Sequence, residues 1–277
     1  MIEAKLGQLK IDDGWLHYEV GGNPQGETVV SSHAGFLDSR MFDPQWAAFS
    51  SRYRLIRYDM RGFGRSSAAT GPICRRTDLR TLLDHLEVRR AHLLGCSMGG
   101  EIVLDLALET PERAASLTLI GATPSGFQPQ GTMPRYLEEM IGAMQRGDLE
   151  QANELQTRIW FDGPFREPDQ VDDILRQKAL AMNRIPVENS TFLVADSQPR
   201  NPLQPSAMSR LADVPCPVLV IVGALDDPEL LRAAELLAAG IPESRLSRID
   251  GAAHVPSFEK PEKVNPLLDE FLRAATS

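Results

Sequence analysis

Apolar and polar positions alternate at the amino end of the chain, over 6–11 and again over 15–20, with Asp12-Asp13-Gly14 between them. Alternation around such a turn predicts a β-hairpin. Beyond it the rhythm changes to short apolar runs separated by helical spacing. Strands are predicted over 28–32, 53–58, 91–94, 116–120, 218–222 and 246–249, and helices over 77–86, 100–108, 228–239 and 261–274. In the first of these helices, Leu79, Leu82, Leu83 and Leu86 mark one face. Strand–helix alternation of this kind predicts an α/β fold, a mostly parallel sheet of eight strands with helices on both faces. Between 127 and 209 no strand pattern appears. Several helices are expected there instead, punctuated at Pro134, Gly147, Gly163-Pro164, Pro168 and Pro186. That is too long for a plain loop in a compact domain, so the sheet is expected to resume after a helical insertion. The implied organisation is one sheet domain, 1–126 with 210–277, interrupted by a helical unit at 127–209.

Composition narrows the function classes without naming one. A chain of 277 residues allows one large domain or two small ones, and 42% hydrophobic with 24% charged residues is ordinary globular usage. With 29 basic against 38 acidic residues the net charge is −9, which argues against a nucleic-acid partner. No apolar run reaches the roughly 20 residues a membrane span needs. Cys74, Cys96 and Cys216 are too few and too scattered for a disulfide framework or a thiolate metal site, and no metal or cofactor is expected. The first six residues, Met1 to Leu6, lack the apolar core of a secretory signal, so a cytoplasmic location is expected.

The chemistry concentrates in His92-Leu93-Leu94-Gly95-Cys96-Ser97-Met98-Gly99-Gly100-Glu101-Ile102-Val103. A buried strand runs into Gly-x-Ser-x-Gly and a helix begins at once. So sharp a turn strains Ser97 and leaves no room for side chains at Gly95 and Gly99. It lifts the Ser97 hydroxyl above the strand ends and aims the Met98 amide and the positive end of the helix at the same place. A serine nucleophile needs a base, and the base needs a group to orient it. Of five histidines, His17, His85 and His92 fall in the hairpin, on an early helix and at the far end of the nucleophile strand. His33 and His254 remain, and His254 lies in the loop after the last strand, where ligands of open α/β sheets bind. Asp226 and Asp227, just past the strand at 218–222, are the candidate acids. Asp227-Pro228 also reads as a helix start.

These segments resemble the α/β-hydrolase fold superfamily over nearly the whole chain. The matching residues are His33-Ala34-Gly35-Phe36, Asp59-Met60-Arg61-Gly62-Phe63-Gly64-Arg65-Ser66, Gly95 to Gly100, Gly223-Ala224-Leu225-Asp226 and Gly251-Ala252-Ala253-His254. The resemblance implies Asp226 as the acid, since the family places it three residues after the glycine ending its strand. It implies an oxyanion hole from the amides of Met98 and Gly35, with Phe36 as the second choice for the latter; Ala34 stands where the family usually has glycine. His33 becomes structural, its rival role being the base. Aspartate nucleophiles of haloalkane dehalogenases and epoxide hydrolases do not match Ser97.

The insertion corresponds to the cap such enzymes place over the serine. It carries Phe127, Met133, Tyr136, Met140, Met144, Trp160, Phe161, Phe165, Met182 and Phe192. Most are expected in the cap's own core. Met140, Met144, Trp160 and Phe161, with Phe36 and Val255, are expected to line an apolar acyl pocket. Arg158, Arg166 and Arg184 are expected to be solvated. Overall spacing is most similar to small bacterial esterases and 3-oxoadipate enol-lactonases. The expected substrate is a small-molecule carboxylic ester or lactone. Carbon–carbon bond hydrolysis of ring-cleavage products and haloperoxidase-like perhydrolysis use the same triad, and a non-catalytic ligand-binding member is the alternative from another class. Val255, where the carbon–carbon hydrolases often have tryptophan, counts against the first of these.

Overall fold

The computed structural model describes residues 4–197 and 199–275. The hairpin forms as β1 (Lys5–Ile11) against β2 (Gly14–Gly22), in register from Lys5↔Val20 to Ile11↔Gly14. The other strands are β3 (Thr28–Ser32), β4 (Arg54–Tyr58), β5 (Ala91–Cys96), β6 (Ala114–Ile120), β7 (Val218–Gly223) and β8 (Ser244–Ile249). They make one eight-stranded sheet in the order β1-β2-β4-β3-β5-β6-β7-β8. β2 runs antiparallel to β1 and β4; all other pairings are parallel.

Helices alternate with the parallel strands: α1 (Asp43–Phe49), α2 (Arg75–His85), α3 (Met98–Glu109), α4 (Leu137–Arg146), α5 (Leu149–Thr157), α6 (Asp173–Glu188), α7 (Pro228–Gly240), α8 (Pro256–Glu259) and α9 (Pro261–Ala275). The central strands β5 and β7 are buried along their whole length, because helices cover both faces. Side chains of β7 divide by the two-residue period. Val218, Val220 and Val222 pack with Leu79, Leu106 and Leu237 of α2, α3 and α7. Leu219 and Ile221 pack with Phe49 of α1 and Leu268 of α9. Helices α1 and α8 had no counterpart in the periodicity, since seven and four residues are too few for a 3.6-residue pattern to register.

Between β6 and β7 the chain is helical, with no strand among the described residues. Pro186 does not interrupt it as expected. It lies in the last turn of α6, where it forgoes the N–H bond to the Met182 carbonyl while the helix continues to Glu188. Met140, Ala143, Met144, Ala152, Leu155, Ile159 and Val187 form a separate small core for α4–α6. Arg158 meets Glu167 and lies 5.1 Å over the Tyr136 ring, and Arg184 is exposed, paired with Glu188.

Arg166 departs from expectation. Its side chain is only 10% exposed, lies 2.8 Å from Glu259 of α8, and also donates to the carbonyls of Asp162 and Phe161. An arginine that buries itself does so where carboxylate and carbonyl acceptors replace its water. Among the described residues no helix is long and apolar enough to cross a membrane.

Candidate active site

Chain order and sheet order part company at β3. From β3 the chain moves to β4 on one side, then returns to β5 on the other. Loops leaving the carboxyl ends of β3 and β5 therefore diverge and leave a crevice, the place where open α/β sheets bind ligands. Ser97 follows β5 at that crevice, with φ 53° and ψ −120°. Such a left-handed backbone is strained for any residue but glycine, and persists only where its surroundings enforce it. Here the Ser97 amide donates to the Ile120 carbonyl at 2.7 Å, and the Ser97 carbonyl accepts from the Gly100 amide at 2.8 Å. A Cβ on Gly95 would collide with the Gly99 carbonyl, and one on Gly99 with the Ser32 carbonyl. The glycines flanking Ser97 are thus demanded by close backbone approach.

His254 follows β8, and its Nε2 lies 2.7 Å from Ser97 Oγ. Its Nδ1 lies 3.0 Å from Asp226 Oδ2, at the end of β7. A carboxylate only accepts, so Nδ1 carries the proton and Nε2 presents a lone pair to the serine hydroxyl. Asp226 and His254 are each 2% exposed. The second oxygen of Asp226 accepts the Asp227 amide at 2.8 Å. Asp227 has the other role read for it: it caps α7, accepting from the Glu229 amide at 2.8 Å, and burial pushes its carboxyl above the usual range. Trp160 packs on the His254 ring with centroids 4.9 Å apart, and Phe36 lies at 6.4 Å.

Gly35 sits in the tight turn closed by the Leu37 amide on the Ala34 carbonyl, 3.1 Å. A Cβ there would lie 3.0 Å from Met98 Cε and 3.5 Å from Met98 Cβ, so Gly35 packs against the Met98 side chain. Among the described residues the amides of Gly35, Phe36 and Met98 have no hydrogen-bond acceptor. His33 anchors this turn. Its Nε2 accepts the Met60 amide at 2.9 Å, so Nδ1 donates to the Ala34 carbonyl at 2.8 Å.

Complete burial holds the His33 pKa below its ordinary value, against the opposing pull of Asp59. Because the folded state resists protonating His33, its contribution to stability is present above the unfolded pKa near 6.5 and declines as pH falls. His33→Ala is expected to cost roughly 1–3 kcal/mol through the two orphaned backbone groups. Urea melts from pH 5 to 8 should show that loss together with a shallower acid dependence. The variant should retain Ser97-dependent turnover; a loss as deep as that of Ser97→Ala would make His33 the base.

A cleft of about 320 Å³ opens at Ser97. Met98, Glu101, Ile102 and Asp105 line it from α3, Arg75 and Arg76 from α2, and Thr123, Ser125, Asp196 and Arg200 from flanking segments. It is therefore more charged than the apolar pocket expected. Met140 and Met144 lie in the core of α4–α6, and Phe161 and Val255 in the core between the sheet and α9; none lines this cleft. Periodicity identifies an apolar face but not which neighbour covers it. Two contributors escaped the sequence reading. Glu259 accepts the Ala253 amide at 2.9 Å while paired to Arg166, which fixes the loop that carries His254. Glu101 was quoted only as part of the motif.

Comparison with known proteins gives the family. The family model for the alpha/beta hydrolase fold matches residues 27–261. The chain is 28% identical to 3-oxoadipate enol-lactonase 1 of Acinetobacter baylyi, over 94% of this chain and 93% of that one. It is also 28% identical to 2-hydroxy-6-oxo-6-phenylhexa-2,4-dienoate hydrolase of Comamonas testosteroni, over 98% and 95%. Among solved structures, a hydrolase from Pseudomonas aeruginosa superposes with a TM-score of 0.79 at 28% identity, over 96% of this chain and 98% of that one.

Proposed function

The chain belongs to the alpha/beta hydrolase fold family, and from that premise we propose that it cleaves a carboxylic ester or lactone through an acyl-enzyme on Ser97. The observation that carries this reading is the hydrogen-bond chain Ser97–His254–Asp226, at 2.7 and 3.0 Å, on a backbone held strained at the serine. Ser97 Oγ attacks the carbonyl carbon while its proton passes to His254 Nε2. Asp226 keeps the imidazole in the accepting tautomer and stabilises the imidazolium. The amides of Met98 and Gly35 receive the oxyanion, each worth roughly 100- to 1000-fold in rate. The C–O bond then breaks, and the leaving oxygen takes the proton from Nε2. Water attacks the acyl-enzyme with His254 again as base, releasing the acid and restoring the serine hydroxyl.

The helices of 127–209 act as a lid in this reading, with Trp160 resting on the His254 ring. Asp226 is the triad acid, and Asp227 a helix cap. The test is turnover of p-nitrophenyl acetate and butyrate together with labelling of Ser97 by a fluorophosphonate probe. Both are expected, and absence of both overturns the reading. The dienoate hydrolase from Comamonas testosteroni is as similar as the enol-lactonase, which favours carbon–carbon cleavage as a second reading. A screen containing graded acyl esters, simple lactones and one vinylogous diketone separates the two.

A further inference from the structure

Glu101 stands one helical turn beyond Ser97 on α3 and lines the cleft that opens at the serine. The other charged groups around it are almost all engaged. Arg75 of α2 holds Asp196 at 2.6 Å and the Arg61 carbonyl at 3.0 Å. Arg76 holds Glu109 at 3.1 Å and Asp105 at 3.7 Å, and Asp105 also accepts from Ser125 Oγ at 2.7 Å. The Cys74 thiol accepts from Thr77 Oγ1 at 3.1 Å, and His254 is committed to Ser97 and Asp226. Arg200 lines the same cleft and is exposed; its charge acts on Asp13, and its side chain makes no hydrogen bond or close ion pair among the described residues.

The Glu101 carboxylate likewise has no hydrogen bond or ion pair among the described residues, and its oxygens are not sealed from the cleft. Burial, with Asp105 adding to it, pushes this carboxyl up to about 7. That happens although the first turn of a helix favours an ionised acid. A positive group placed in the cleft would supply the missing partner and offset both the desolvation and the repulsion from Asp105. Arg200, being exposed, opposes it only through a solvent-screened interaction. The net charge of −9 also makes the long-range field of the whole chain attractive to cations.

We infer that Glu101 is a specificity residue of the Ser97 site and pairs with an alkylammonium nitrogen on the substrate, so that the preferred ester or lactone is a cationic one. This assignment rests on the hydrolase reading above.

The test is competitive inhibition of p-nitrophenyl acetate hydrolysis by n-butylammonium, 1-butanol and butyrate. At pH 8 n-butylammonium is expected to inhibit roughly tenfold more strongly than 1-butanol, as a charge-assisted hydrogen bond allows, and butyrate least. The ammonium-to-alcohol ratio should grow from about pH 6 to 8 as Glu101 loses its proton. Glu101→Gln should bring the ratio near one at every pH, and Glu101→Asp should keep part of it, both with thermal midpoints checked. Equal inhibition by ammonium and alcohol, or an undiminished ratio in Glu101→Gln, overturns the assignment while leaving the hydrolase intact. A wild type that turns over no ester fails the hydrolase reading instead. The same probes are then ranked by calorimetric binding, where Glu101-dependent preference for n-butylammonium supports the assignment and equal Kd values overturn it.

Discussion

Ser97→Ala is expected to lower kcat/KM for p-nitrophenyl acetate by roughly 10⁴- to 10⁶-fold without unfolding the protein. The hydroxyl makes one hydrogen bond, to His254 Nε2, so its removal orphans no buried group other than that nitrogen. The strain at φ 53° is present for serine and alanine alike, so stability should change by only about 1 kcal/mol or less. Activity is different, because no other group occupies the position between His254 and the Met98 amide. His254→Ala should fall nearly as far, and the double variant hardly farther, since the two act as one unit. Circular dichroism and the thermal midpoint serve as controls. A Ser97→Ala enzyme within tenfold of wild type would mean that ester turnover arises elsewhere on the chain.

Much of this fold was legible because the central strands are short apolar runs between helical patterns. β3 and β7 fall within a residue of their predicted ends. The hairpin was equally plain, since alternation with an Asp-Asp-Gly turn admits one register. What periodicity does not carry is partnership. Met140 and Met144 lie on a helical apolar face, as read, yet that face closes onto Leu155 and Ile159 instead of turning toward Ser97. Phe161 is buried against Phe258, with ring centroids 6.1 Å apart, a pairing almost a hundred residues distant in sequence.

The serine was the most legible part of the candidate site, because a strand-to-helix turn this tight constrains its neighbours sterically at Gly95 and Gly99. The histidine was read from its loop position and from the resemblance of Gly251 to His254 to the family, since both His33 and His254 lie after parallel strands. The structure distinguishes them by their bonds. His33 spends both ring nitrogens on backbone groups, whereas His254 joins a hydroxyl to a carboxylate. Glu259 and Arg166 were illegible, since a buried pair linking α8 to the segment after α5 leaves no local spacing in the chain. Glu101 was hidden differently. On a helix that also carries Asp105 and Glu109 it looks like any solvent-facing carboxylate until the cleft beside it is seen.

The adjacent aspartates give the sharpest remaining contrast. Asp226→Asn is expected to reduce kcat by roughly 10⁴-fold. An asparagine that presents its amide N–H₂ to Nδ1 turns that nitrogen into an acceptor and moves the imidazole proton to Nε2. Ser97 Oγ would then face an N–H and lose its proton acceptor. If instead the amide oxygen faces Nδ1, the tautomer survives but the imidazolium loses its counter-charge. Asp227→Asn should differ, because asparagine caps a helix about as well as aspartate. Its hydrogen bond to the Glu229 amide can persist, so kcat should stay within a few-fold of wild type. Asp227→Ala should lose the cap, at about 1 kcal/mol in stability. Steady-state kinetics on all three variants, with ¹⁵N NMR of the His254 ring to read the tautomer, checks the assignment. An Asp226→Asn enzyme that keeps its rate beside an inactive Asp227→Asn would exchange the roles of the two carboxylates. It would also require the His254 ring to leave the 3.0 Å contact it makes with Asp226 before catalysis begins.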